Sequence, residues 1–201
     1  MPRDSGAAPS TGRARGRSVA PRLRAPAVLA LAGLLAACSG QAPAPRRAPS
    51  FAATIRLASP AFRPGGTLPA RFTCDGEGRP PPLAWGGVPR GARSLALLVV
   101  DPDAPSGPFL HWAVYGLSPR LRGVASGPLP GGARQATSGF GRRAYGAPCP
   151  PAGDTPHRYT FTLYALRRPV RSPDGASAEA ARSALERSAL AEGRLIARYG
   201  R

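Results

Sequence analysis

The chain has 201 residues, of which 26 are proline and 25 glycine, with 42% hydrophobic and 6% aromatic side chains. That length holds one domain of ordinary size, or a domain plus an N-terminal extension, with a core large enough to be stable without staples. The formal charge is +18 and every one of the 28 basic residues is arginine, but these are scattered and no recognised nucleic-acid module accompanies them, which argues against nucleic acid as a partner.

Residues 1–24 carry Arg3, Arg13, Arg15, Arg17, Arg22 and Arg24, and an uncharged apolar stretch follows from Ala25 to Ala37. A helix needs ~20 apolar residues to span a bilayer, so this stretch is too short. A basic segment, a short apolar segment and small residues at its end read as a secretory signal peptide. It ends in Leu35-Ala36-Ala37-Cys38, which resembles the bacterial lipobox. That reading makes residues 1–38 a lipoprotein signal ending at a lipidated Cys38. An ordinary signal peptide cleaved near Ala37 is the alternative. Ser39 follows, where an Asp would signal retention at the inner membrane. The expected location is therefore the cell envelope, at the outer membrane facing the periplasm if there are two membranes.

Residues 39–50 (SGQAPAPRRAPS) have no apolar period and read as an extended tether. Without residues 1–38 the chain loses six Arg and one Asp, which leaves 22 Arg against nine acids, a net +13. Arginine without lysine is what a GC-rich genome produces. Beyond that, the charge suits an acidic lipid surface or an anionic ligand. In an exported chain Cys74 and Cys149 are the expected disulfide, with two free buried thiols as the alternative.

Residues 51–201 read as one domain. Strand character is clear at 51–57, at the apolar run 94–100 (SLALLVV), at 111–117 (HWAVYGL) and at 158–166 (RYTFTLYAL). In the last of these Tyr159, Phe161 and Leu163 point one way and Arg158, Thr160 and Thr162 the other. Proline and glycine punctuate every gap, as in an all-β sandwich. From Ser177 to about Tyr199 the helix formers Ala, Leu, Glu and Arg dominate, with Ala181, Leu185, Ala189, Leu195 and Ile196 on one face. The expected fold is mainly β: a two-sheet antiparallel β-sandwich with a C-terminal helix.

Two Pro-stiffened loops carry the chemistry. Asp101 ends a buried strand within Asp101-Pro102-Asp103-Ala104-Pro105, and His111 opens the next strand ten residues later. The short loop between them can bring His111 near Asp101. Tyr145-Gly146-Ala147-Pro148-Cys149-Pro150-Pro151 forms a stiff wall, followed by His157-Arg158-Tyr159 at another strand start. A lone histidine is usually structural, but here both histidines of the chain stand beside such loops. A His–Asp pair with nearby backbone N–H groups can bind an anion such as phosphate, the carboxylate raising the histidine pKa and keeping it a donor.

The segments DPDAPSGPFLHW and YGAPCPPAGDTPHRYTFTLYAL resemble the two signature blocks of the phosphatidylethanolamine-binding protein family, in its bacterial Raf kinase inhibitor-like branch. The stretch from Phe72 to Pro105 is similar to that branch as well, with Pro81, Pro82, Leu83 and Trp85 in register, so the resemblance covers about residues 51–201. It implies a β-sandwich with a small anion pocket at one end, lined by Asp101, His111, Gly146, Pro148 and His157, with Asp103 and Tyr159 as weaker candidates. The implied ligand is a phosphate-like anion or a phospholipid head group. No cofactor is expected, and although two His and two Asp could supply zinc ligands, their spacing matches no metal motif. Residues 135–140 depart from the family's usual Asn- and Asp-containing run, and 106–110 is short, as in the bacterial branch.

Three functions compete at this point. The first is a membrane-anchored binding protein, not an enzyme. The second is a hydrolase with Asp101 and His111 as an acid–base pair, for which no Ser or Cys nucleophile is evident. The third is an inhibitor of a kinase or protease acting through surface loops. The sequence names no protein partner.

Overall fold

A computed structural model describes residues 53–170 and 175–201. The expected signal segment, Cys38 and the tether lie outside them. Among the described residues nine strands form two sheets: β1 (Ala53–Thr54), β2 (Arg56–Ala58), β3 (Leu83–Gly86), β4 (Ser94–Asp101), β5 (Phe109–Leu117), β6 (Gly123–Val124), β7 (Arg134–Gln135), β8 (His157–Leu166) and β9 (Ala189–Tyr199). The larger sheet has the order β1-β9-β8-β4-β5-β7 and the smaller β2-β3-β6. All pairings are antiparallel except β1 with β9. The helix α1 (Ala178–Glu186) packs on the larger sheet.

The central strand β4 is apolar on both faces because both faces are covered. Leu95, Leu97 and Val99 join Trp85, Trp112, Phe161 and Leu195 in the core between the sheets. Ala96 and Leu98 face the other way and meet Leu110, Tyr164 and the α1 residues Ala178, Ala181 and Leu185. The alternation read in β8 follows the same division. Tyr159, Phe161 and Leu163 are fully buried in the inter-sheet core, while Arg158 is exposed.

The expected first strand is split. Ile55 lies between β1 and β2, is buried, and donates its N–H to Glu192. The chain therefore leaves the larger sheet and joins the smaller one within five residues.

The C-terminal segment differs from the expected single helix over 177–199. α1 is there, capped by the Ser177 hydroxyl, which accepts the Ala180 N–H at 3.2 Å. It stops at Glu186, and Ala189–Tyr199 is the strand β9. Along β9 Ala189, Ala191, Leu195, Ala197 and Tyr199 are buried, a period of two, and Ile196 points outward. Ten partner positions on β8, from His157 to Leu166, outweigh the helix propensity of Ala, Leu, Glu and Arg. Gly193 is the local signal: a Cβ there would collide with the Ile55 carbonyl where the chain crosses between sheets.

Cys74 and Cys149 are joined by a disulfide with Cα atoms 5.4 Å apart. The bond, with the Cys74 N–H donated to the Pro148 carbonyl at 3.0 Å, ties the Pro-rich wall to the short 3-10 turn Ala70–Phe72.

Candidate functional site

The strands β8, β4 and β5 are neighbours, and one end of each meets at the same edge of the larger sheet. Val100 pairs with Thr160 on one side and Leu110 on the other. That register gathers Asp101, His157 and His111 although 56 residues separate the first two. Their exposures are 3%, 5% and 4%, so three ionisable side chains stand almost out of water at one strand end. Buried ionisable groups gathered in this way make the strand end a candidate functional site.

The hydrogen bonds differ from the expected pairing. Asp101 takes His157, not His111: His157 Nδ1 donates to Asp101 Oδ2 at 2.8 Å. Asp101 Oδ1 accepts the Asp103 N–H at 2.8 Å, a turn that Pro102 helps to fix. His111 Nδ1 is 2.8 Å from the Gly146 carbonyl, and the Gly146 N–H returns to the His111 carbonyl at 2.9 Å. A carbonyl only accepts, so Nδ1 carries the proton and Nε2 is the free nitrogen of His111.

The electrostatics of His111 also depart from expectation. Burial is the largest influence and holds its pKa below the ordinary value of 6.5. It outweighs the Gly146 hydrogen bond and the negative charge of Asp101, both of which act upward. His111 is therefore neutral at pH 7, and the carboxylate does not keep it a cation.

The other expected residues sort by position. Tyr159 packs edge-on to His111 with centroids 5.2 Å apart. Its buried hydroxyl meets no chain atom in hydrogen-bonding geometry, and burial first, then the Asp101 charge, push its pKa up. Asp103 faces outward. Its carboxylate accepts the Arg158 backbone N–H at 2.8 Å and both prongs of the guanidinium, at 2.9 and 2.6 Å. The guanidinium lowers the Asp103 pKa to about 2. Asp103 thus braces the loop. Pro148 is buried and lies in the wall by the disulfide.

Phe140 belongs to the site and escaped the sequence reading. Its ring lies 5.3 Å from His111 and 4.9 Å from Phe109, both edge-on, and 44% of the residue is exposed. A Cβ on Gly146 would fall on that ring, so the glycine makes room for it. Phe140 covers His111 from the solvent side. The only trace in sequence is a large apolar residue between Gly139 and Gly141, in a segment with no periodicity.

The larger sheet also bears a recess of about 230 Å³ on its α1 side, lined by Leu98, Val100, Thr162, Tyr164 and Arg182. It holds no histidine, and chemistry rather than size singles out the strand-end cluster. Among the described residues, no three His, Cys, Asp or Glu side chains are placed to hold a metal ion.

The family model for phosphatidylethanolamine-binding proteins matches residues 58–200. The chain belongs to the phosphatidylethanolamine-binding protein family. A UPF0098 protein of Methanothermobacter thermautotrophicus is 43% identical over 152 residues, 73% of this chain and 99% of that one. A Mycobacterium tuberculosis protein named "Putative lipoprotein LppC" is 40% identical over 157 residues, 78% of this chain and 75% of its own length. Among solved structures, Escherichia coli YbcL, described as a new member of the mammalian phosphatidylethanolamine-binding protein family, superposes with a TM-score of 0.68 at 28% identity, covering 73% of this chain and 98% of that one. The homologue CT736 of Chlamydia trachomatis gives 0.66 at 37% identity, covering 74% and 98%. Both the family and its bacterial branch stand on these matches.

Proposed function

We propose that the chain is a membrane-anchored binding protein of this family that takes a phosphate-type anion, free or in a phospholipid head group, at the His111–Asp101–His157 end of the larger sheet. The observation that carries the reading is the burial of three ionisable side chains, two of them imidazoles, at one strand end, with Asp101 orienting His157. His111 Nε2 is the nitrogen that would face the anion. An anion there draws a proton onto the ring and turns it into a charge-assisted donor. Phe140 must swing aside to admit the ligand. The anchor reading rests on the Cys38 lipobox and on the lipoprotein name of the Mycobacterium relative. The signal over 1–38, the tether over 39–50 and the domain over 51–201 are part of the same proposal.

Calorimetric titration with inorganic phosphate tests the pocket. The wild type should release or take up measurable heat with one site, and His111→Ala should abolish it. Turnover of phosphate esters that disappears in Asp101→Asn would replace the binding reading with the hydrolase one.

A further inference from the structure

The two ends of the larger sheet differ sharply in charge. Five of the eight described acids stand at the His111 end: Asp75, Glu77, Asp101, Asp103 and Asp154. Cations accompany them there, as Arg201 pairs with Asp75, Arg79 with Glu77 and Arg158 with Asp103. The opposite end is built by loops 87–93, 118–122 and 167–170, which contain no acid. There Arg90, Arg93, Arg120 and Arg122 line one recess of about 450 Å³. All four are exposed, and none makes an ion pair among the described residues. Arg167 and Arg168 are exposed beside them at the end of β8.

A second observation tells what this end faces. The described chain enters the domain there. Ala53 pairs with Ala191, and the neighbouring Leu190 reaches Gly91 in loop 87–93, at 3.6 Å from where its Cβ would stand. The chain upstream of β1 therefore joins the domain at its arginine end. Four arginines without a carboxylate partner among the described residues, of which Arg122 also donates to the Arg120 and Leu121 carbonyls of its own loop, complement a negatively charged lipid surface, where each basic residue adds to binding and screening by salt weakens it.

We propose that the recess of Arg90, Arg93, Arg120 and Arg122 is a docking face for the anionic lipid surface of the membrane that carries the chain. The proposal rests on the anchored reading above and narrows the ligand of the histidine site. The eight residues of β4 put that site about 25 Å from the docking face, at the far end of the sheet. With the arginine end on the membrane, the histidine site opens into the aqueous compartment. Its phosphate-type ligand then comes from solution rather than from a head group of the underlying leaflet.

Vesicle sedimentation tests the docking face without the lipid anchor. The chain from residue 38 onward, carrying Cys38→Ser, keeps every residue of both cores and cannot be acylated. It should sediment with vesicles containing roughly 30% phosphatidylglycerol, stay in the supernatant when pure phosphatidylcholine vesicles are pelleted, and detach as salt is raised. Arg90→Gln, Arg93→Gln, Arg120→Gln and Arg122→Gln together should lower the partition at least ~10-fold with an unchanged melting temperature. Arg142→Gln with Arg143→Gln, beside Phe140 at the other end, should leave it unchanged. Equal binding by the fourfold variant overturns the proposal, as does a loss confined to the Arg142/Arg143 variant. So does a wild type that ignores anionic vesicles yet still binds an acidic polymer such as heparin. Failure of Cys38 to take up a fatty-acid analogue in cells is read separately, and removes the anchor while the vesicle result stands.

Discussion

With its Nδ1–H donated to the Gly146 carbonyl, His111 has one nitrogen left for a ligand, and burial keeps that nitrogen unprotonated at pH 7. On the proposed function, an anion that accepts a hydrogen bond from His111 brings a proton onto the ring, because only the imidazolium offers Nε2–H. Phosphate affinity should rise as pH falls through the histidine range, and calorimetry in buffers of different ionisation heats should detect the proton taken up. Stability runs the other way. A histidine whose folded pKa lies below its unfolded value of 6.5 binds its proton more readily when unfolded. The ligand-free protein should therefore lose stability as pH drops below 6.5, and His111→Gln should blunt that loss in thermal melts. Phe140 gives a kinetic expectation: Phe140→Ala, which uncovers His111, should speed phosphate association in stopped-flow while leaving the fold intact. Asp101, His111 and His157 were legible as candidates because each sits at a strand end next to a Pro-rich loop. Their partners were not, because the choice of His157 by Asp101 depends on the β4–β8 register, which no local pattern encodes.

At the level of elements, legibility followed burial pattern. β4 was readable as a run apolar on both faces, and β8 as an alternation with one polar side. β9 was not. Its inward positions are mostly alanine, and its outward positions include Leu190 and Ile196, so it carries no contrast between faces and reads as a helix. Only pairing with β8, which is remote in sequence, overrides that preference. The test is Gly193→Val. A strand-favouring residue would be neutral or better in an isolated strand, but here its branches meet the Ile55 backbone. A loss of about 2 kcal/mol or more in chemical denaturation is expected, against about 1 kcal/mol for the cap removal Ser177→Ala.

Across the whole molecule, one sheet organises everything. One face packs on the smaller sheet, the other carries α1, one end holds the histidines and the other the free arginines. The Cys74–Cys149 bond closes a span of 75 residues and fastens the wall of the histidine site to the inter-sheet core. In the chain-entropy view it contributes ~4 kcal/mol. Reduction should lower the melting temperature and weaken phosphate binding together, since Gly146 and Pro148 lie on the segment it holds. The two-sheet sandwich and the family were visible in the sequence because signature blocks survive as contiguous strings. The polarity between the ends was not, because its arginines come from three loops far apart in sequence.

The central claim is that both imidazoles line one anion site. Following the ring resonances of His111 and His157 by NMR during a titration with inorganic phosphate tests it directly. Both rings should shift with a common saturation point, the His111 ring moving towards its protonated position, and His111→Ala should erase the response of His157 as well. Rings that stay still at phosphate concentrations far above the physiological range would contradict the account.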